Sequence, residues 1–267
     1  MKTHSLLISM LVFLCVMGAC NSGPVLRNAT GFAYEIVVTM DKTAWDAPGG
    51  QAIKAELASD IPGLPQAEPA FKITYAMPVH FDGVLTMTAP DTETILEYVN
   101  AHPRSLVDFF SKAERDRTIS QLKKEYSTLV MEHVKKRFDV ELNAPGSMTF
   151  YRDTTGFFWA SNNAATGRSD MVVYDFPYQD TNTFTKEYLI RKRDSVMKQN
   201  MPGAFPNSYM ATDSAWVTYT PVTVNGKYCG ELRGLWQVEG DMMGGPFVSH
   251  ARVDEKNNRV VVVEGFV

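Results

Sequence analysis

The sequence predicts an α+β protein, with a largely antiparallel sheet or sheets and a long helix between two halves. Three observations carry this. Short β-branched and aromatic runs bounded by polar turns dominate the second half. One long helical periodicity occupies 103–138. Strands and helices do not follow the regular β-α-β alternation that builds a doubly wound parallel sheet. The 267 residues are 45% hydrophobic, which excludes disorder and collagen-like repeats and suits one large domain or two small ones. A formal charge of −4 argues against a nucleic-acid partner.

Residues 1–19 read as a signal peptide. Lys2 supplies a basic start, and Leu6 to Met17 is an apolar run of twelve, short of the roughly 20 residues that span a bilayer. Met17-Gly18-Ala19-Cys20 resembles a bacterial lipobox, in which the cysteine is acylated and becomes the first residue. Cleavage there removes Lys2 and no acidic residue, so the formal charge moves from −4 to −5. Cys15 leaves with the signal and Cys20 takes the lipid. Cys229 then remains without a disulfide partner, and reads as a small buried hydrophobe in a strand. Residues 20–31 form the lipidated cysteine and a short polar tether. No acidic cluster follows Cys20, which favours an outer-membrane anchor facing the periplasm.

Residues 32–142 are expected to form an N-terminal α+β half. Phe32 to Met40 reads as a strand; Trp45 and Pro48-Gly49-Gly50 follow, and then Gln51 to Leu57 as a short helical stretch. Three prolines between Ile61 and Pro69 dictate an extended loop, which with Trp45 is one place for a groove. Phe71 to Ala76 and Gly83 to Thr88 look like strands. Asp91 caps a helix, with Glu93 in its first turn. From Pro103 to Phe138, an apolar stripe runs through Leu106, Phe109, Phe110 and Ala113, then Leu122, Tyr126, Leu129, Val130 and Val134. Its start is either Pro103 at the first helical position or a Ser105–Asp108 capping pair. Glu114 to Arg117 interrupt the stripe, predicting a kink at 114–118 or one helix bracing both halves.

Asn143-Ala144-Pro145-Gly146 is a turn, and 143–267 is expected to form a strand-rich C-terminal half, compact with the first. Phe157 to Ala160, Met171 to Tyr174, Trp216 to Val224, Lys227 to Val238, Phe247 to Val253 and Arg259 to Val267 are its strands. Phe184 to Met197 is its helix, with Arg191-Lys192-Arg193 on a solvated face.

This half carries a set of distinct motifs. They are Gly230-Glu231-Leu232-Arg233-Gly234-Leu235-Trp236, Met242-Met243-Gly244-Gly245-Pro246-Phe247, Met201-Pro202-Gly203 with Tyr209-Met210-Ala211-Thr212, and Val263-Glu264-Gly265-Phe266-Val267. With Leu64-Pro65-Gln66, Glu68-Pro69 and the lipobox, the chain resembles an uncharacterised family of Bacteroidetes lipoproteins defined by a domain of unknown function. The resemblance implies a compartment and supplies no activity.

Candidate ligand-binding residues follow from spacing. Glu231 and Arg233 share one strand face as an ion pair, while Leu232, Gly234 and Trp236 share the other, with Gly234 making room for the Trp236 ring. The Arg233 guanidinium could instead present itself to a carboxylate or phosphate. Gly244 and Gly245 read as a turn that could wall a site, although the lysine, Ser/Thr and helix of a phosphate loop are absent. Asp241 and Glu239 lie beside it, and Glu68 lies in the proline-rich loop. The scattered histidines give no metal spacing, and neither a metal nor a cofactor is expected. Ser249 and His250 alternate, so they cannot act together as nucleophile and base. These features favour a non-enzymatic, lipid-anchored envelope protein that binds an envelope component or protein. The alternative is an envelope hydrolase using Glu231, Glu239, Asp241 or Glu68.

Overall fold

The computed structural model describes residues 34–61, 69–76 and 89–267. The chain divides into two compact units, 1–58 with 71–117 and 59–70 with 118–267. No helix among the described residues is long and apolar enough to cross a membrane.

In the first unit, β1 (Glu35–Thr39) pairs in parallel with β2 (Lys72–Ala76), with Glu35 opposite Lys72. Parallel neighbours need a long crossover, and α1 (Lys42–Asp46) and α2 (Pro48–Leu57) lie within it. The helix α2 therefore starts earlier than expected, with Pro48 at its first position and both glycines inside. Close packing explains them: a Cβ on Gly49 would stand 2.2 Å from the Thr92 carbonyl oxygen, and one on Gly50 2.4 Å from that of Ala44. Trp45 is buried, as are Ile53, Leu57, Phe71 and Val99, while residues 62–68 of the proline-rich loop expected to form a groove with it lie outside the described residues. Helix α3 (Thr92–Ala101) is capped as the sequence predicts, Asp91 accepting the Thr94 amide at 2.8 Å. The expected strand at 83–88 lies outside the described residues.

The long periodic stretch is two helices, α4 (Ser105–Lys124) and α5 (Thr128–Phe138). The break falls at 125–127 rather than 114–118. Glu114 and Arg117 form an i,i+3 ion pair at 2.6 Å inside the continuous α4, so charge interrupts the stripe without bending the helix. Ser127 makes the break. Its side chain accepts the Val130 amide and donates to the Met148 carbonyl at 2.8 Å, while its own amide bonds Ala144. At the start of α4, Ser105 Oγ makes no hydrogen bond, so the Ser105–Asp108 capping pair does not form.

The second unit is built on a seven-stranded antiparallel sheet: β3 (Phe150–Thr154), β4 (Phe157–Ser161), β5 (Asp170–Pro177), β6 (Tyr209–Val224), β7 (Lys227–Glu239), β8 (Gly244–Asp254) and β9 (Arg259–Phe266). The spatial order is β3-β4-β5-β9-β8-β7-β6, and every neighbouring pair is antiparallel. Asn225-Gly226 closes the β6–β7 hairpin with both residues at positive φ, 51° and 73°, the backbone that matches strand twist in a two-residue turn. Strand β3 was not expected. It is an exposed edge without an apolar alternation to betray it.

One helix lies on each face. α6 (Lys186–Asn200) places Leu189 and Met197 on a cluster with Tyr174, Leu232, Trp236, Phe247, Val262 and Phe266. α5 places Val130, Val134 and Phe138 on Phe158, Ala160, Met171, Val173 and Val261.

Arg193 departs furthest from expectation. It is fully buried between α6 and the sheet rather than solvated. Its Nε and Nη2 donate to Glu264 at 2.9 and 2.7 Å, Nη1 donates to Thr212 Oγ1 at 2.8 Å, and its guanidinium lies 4.0 Å from the centre of the Phe247 ring. Burial opposes its charge, but the buried Glu264 carboxylate outweighs burial and raises the arginine pKa further.

Candidate functional site

Among the described residues of this second unit, α5 packs on only part of its face of the sheet, and the reason is dimensional. Seven strands at about 4.8 Å spacing make a sheet about 30 Å wide. A helix is about 10 Å across, and eleven residues make it about 16 Å long. The α5 cluster accordingly draws on β4, β5 and β9. Beyond its edge lie the side chains that alternation puts on the same face of β8 and β7: Val248, His250 and Arg252, then Cys229, Glu231 and Arg233.

Glu231 sits directly opposite His250 in the β7–β8 register. Its carboxylate is buried and fully engaged: Arg233 donates through Nε and Nη2 at 2.6 and 3.0 Å, and His250 Nε2 lies 2.8 Å from Oε2. Burial pushes the Glu231 pKa up, but the bonds from Arg233 and His250 outweigh it and hold the carboxyl below the usual glutamate range. A carboxylate kept ionised in this way is a poor general acid, a role that requires a raised pKa. Burial first, then the Glu231 charge, pushes the Cys229 thiol up to about 11, so it remains a protonated, unreactive thiol.

Two cavities open on this face. One of about 430 Å³ has a nearly wholly apolar lining that includes Ala144, Met148, Met171, Val248 and Gly265. The other, about 620 Å³, lies over Cys229, His250 and Arg252 beneath the 138–142 segment, with charged residues at its rim. Leu142 and Val263 line both.

The remaining expected site residues lie elsewhere. Trp236 is on the α6 face, where its Nε1 donates to the Val267 carbonyl at 3.1 Å and its ring meets Phe266 edge-on at 5.8 Å. The space at Gly234 is taken by β6 rather than by Trp236, since a Cβ there would stand 2.5 Å from both the Trp216 carbonyl oxygen and Val217. Gly245 is the glycine that accommodates the indole: a Cβ on it would lie 3.1 Å from Trp236 Nε1 and 2.0 Å from the Val267 oxygen. Gly244 and Gly245 are strand residues of β8, and the turn falls at 240–243 with Gly240 at φ 86°. Asp241 lies in that turn, accepting the Met242 amide at 2.6 Å. Glu239 is eight residues along β7 from Glu231, about 26 Å at 3.3 Å per residue. Carboxylate pairs that hydrolyse glycosides stand roughly 5–9.5 Å apart, so Glu231 and Glu239 cannot serve as one. Cys20 and Glu68 lie outside the described residues.

Among the described residues, no group of three or more His, Cys, Asp or Glu side chains gathers to hold a metal. His133 faces Asp153 at 3.0 Å, and His102 ends α3. Sequence reasoning missed His250 and Arg252, although the alternation Val248, His250, Arg252 is written in β8. It also missed Leu142, whose place over the sheet depends on the path of 139–148.

Residues 127–267 match the model of a family described as a domain of unknown function, DUF4837, and residues 29–88 match a second such domain, DUF8532. No curated protein matches the chain.

Proposed function

The chain belongs to the DUF4837 family, whose description is a domain of unknown function, and on that footing we propose that it is a non-enzymatic, lipid-anchored envelope protein of the Bacteroidetes type that binds an envelope component. The anchor is a diacylated Cys20 at the outer membrane, with the fold facing the periplasm. Lys2, the apolar run Leu6–Met17 and the small residues Gly18 and Ala19 before Cys20 support it. The binding role rests on one observation: the half of the α5 face beyond the helix carries two adjoining cavities, and its buried carboxylate, Glu231, is already neutralised by Arg233 and His250. That arrangement offers a surface without a free acid and base.

The test is incubation of the chain from residue 21 onward with purified envelope fractions (peptidoglycan fragments, glycans and lipids). The expected result is retention of one component without its conversion, lost in the variant Val263→Arg. Turnover of any fraction, abolished by Glu231→Gln, would replace this reading with an enzymatic one.

A further inference from the structure

We propose that the two cavities are one groove for a single-chain carboxylate amphiphile, its head on Arg252 and its chain running past Leu142 and Val263 into the apolar cavity. This rests on the binding role assigned above and names the class of ligand. Each cavity is of ligand size, since small-molecule sites run about 300–1,000 Å³, and the shared lining of Leu142 and Val263 sets them side by side.

Charge decides which end takes the head. At the rim of the larger cavity, Asp139 is held by Lys135 at 3.0 Å and Lys256 at 3.5 Å, Glu141 by Lys135 at 3.5 Å, and Asp254 by Arg259 at 2.8 Å. His250 is engaged by Glu231. Glu255 stands out in solvent on the β8–β9 turn. Lys227, exposed like Glu255, balances it at the rim, and Arg252, half-buried on the sheet, makes no hydrogen bond or ion pair among the described residues, so the inner cavity holds a cationic donor in want of an anion. A guanidinium matches a carboxylate with two parallel hydrogen bonds.

The other end is built for hydrocarbon. Arg252 is paired with Val261, and Val248 with Gly265, in the β8–β9 register. The four residue steps from Val261 to Gly265 span about 13 Å. Gly265 is a strand residue with nothing within 4 Å of where its Cβ would stand, so the floor is left open at the far end of the groove.

Calorimetric titration of the chain from residue 21 onward with dodecanoate, hexanoate and dodecanol tests this. One dodecanoate is expected per chain. Hexanoate should bind at least a hundredfold more weakly, since each buried methylene is worth about fourfold, and dodecanol at least tenfold more weakly for want of the charge. Arg252→Gln should weaken dodecanoate about tenfold and leave dodecanol unchanged, whereas Gly265→Leu should weaken both. Absence of dodecanoate binding, equal binding of dodecanol, or indifference to both variants would overturn the proposal. The ligand series on the unmodified chain decides the matter even if a variant does not fold. Retention of some other envelope component without dodecanoate binding would remove the ligand class and leave the binding role standing; loss of both would remove the two together.

Discussion

Arg193 and Glu264 meet with no exposed surface on either side chain, at 2.7 Å. Desolvating two charges costs several kcal/mol each, and only their mutual bonds offset it. Removing one partner leaves the other charge buried and alone. Arg193→Met and Glu264→Leu should each lower stability by about 3–5 kcal/mol, while the double replacement should cost less than the sum; urea denaturation of the three variants measures this. Two single variants within about 1 kcal/mol of the parent would contradict the account. Glu231 carries a pH signature. Its carboxyl is held below its ordinary value in the fold, so the unfolded chain takes up the proton first as pH falls. Its contribution is therefore complete above the ordinary glutamate range, about pH 4–5, and is lost as pH drops through the lowered value. The stability gap between the parent and Glu231→Gln should be widest near neutrality and shrink toward pH 3, as urea midpoints across that range would show. The pairing of Glu231 with Arg233 was legible from their spacing of two. The pairing of Arg193 was hidden by its basic neighbours, although Leu189, Arg193 and Met197 repeat at four and Val260, Val262, Glu264 and Phe266 alternate.

At the scale of elements, β6 and β7 show how one residue sets a strand's shape. Asp213 pairs with Leu235 and Thr218 with Arg233, so the four residues between are set against Gly234 alone. The bulge closes over that glycine, and a methyl group there meets backbone. Gly234→Ala should cost about 1–3 kcal/mol, as overpacking does, measurable as a fall in denaturation midpoint. A cost near zero would mean that the bulge yields freely. Helix boundaries divided in the same way. Asp91 caps α3 with a bond three residues away, and local sequence reveals it. Ser127 caps α5 with the same three-residue bond, but it is also held by Ala144 and Met148, 17 and 21 residues distant, and those contacts no local pattern marks. Gly49 and Gly50 fall before the expected helix start at Gln51 because their reason for being glycine, the Thr92 and Ala44 carbonyl oxygens at 2.2 and 2.4 Å, lies in other elements.

For the whole molecule, the proposed anchor is the reading of greatest reach. Cys20→Ala should leave the chain without lipid and release it from the membrane fraction, as fractionation and blotting would show; unchanged membrane association would refute the anchor. The sequence by itself determined the class of architecture, α+β with a largely antiparallel sheet, since strand and helix periods are local properties of the chain. It also determined which side chains share a strand face. It could not decide that β1 and β2 run parallel, because pairing direction depends on a crossover and not on either strand's composition. Nor could it decide that Arg193 is buried while Arg233 is largely exposed, since both are arginines beside a carboxylate partner. Only the tertiary structure decided those points, and with them which strands of the sheet α5 packs on. A helix about 10 Å wide cannot cover a sheet about 30 Å wide, and where it lies is settled by packing between segments far apart in sequence.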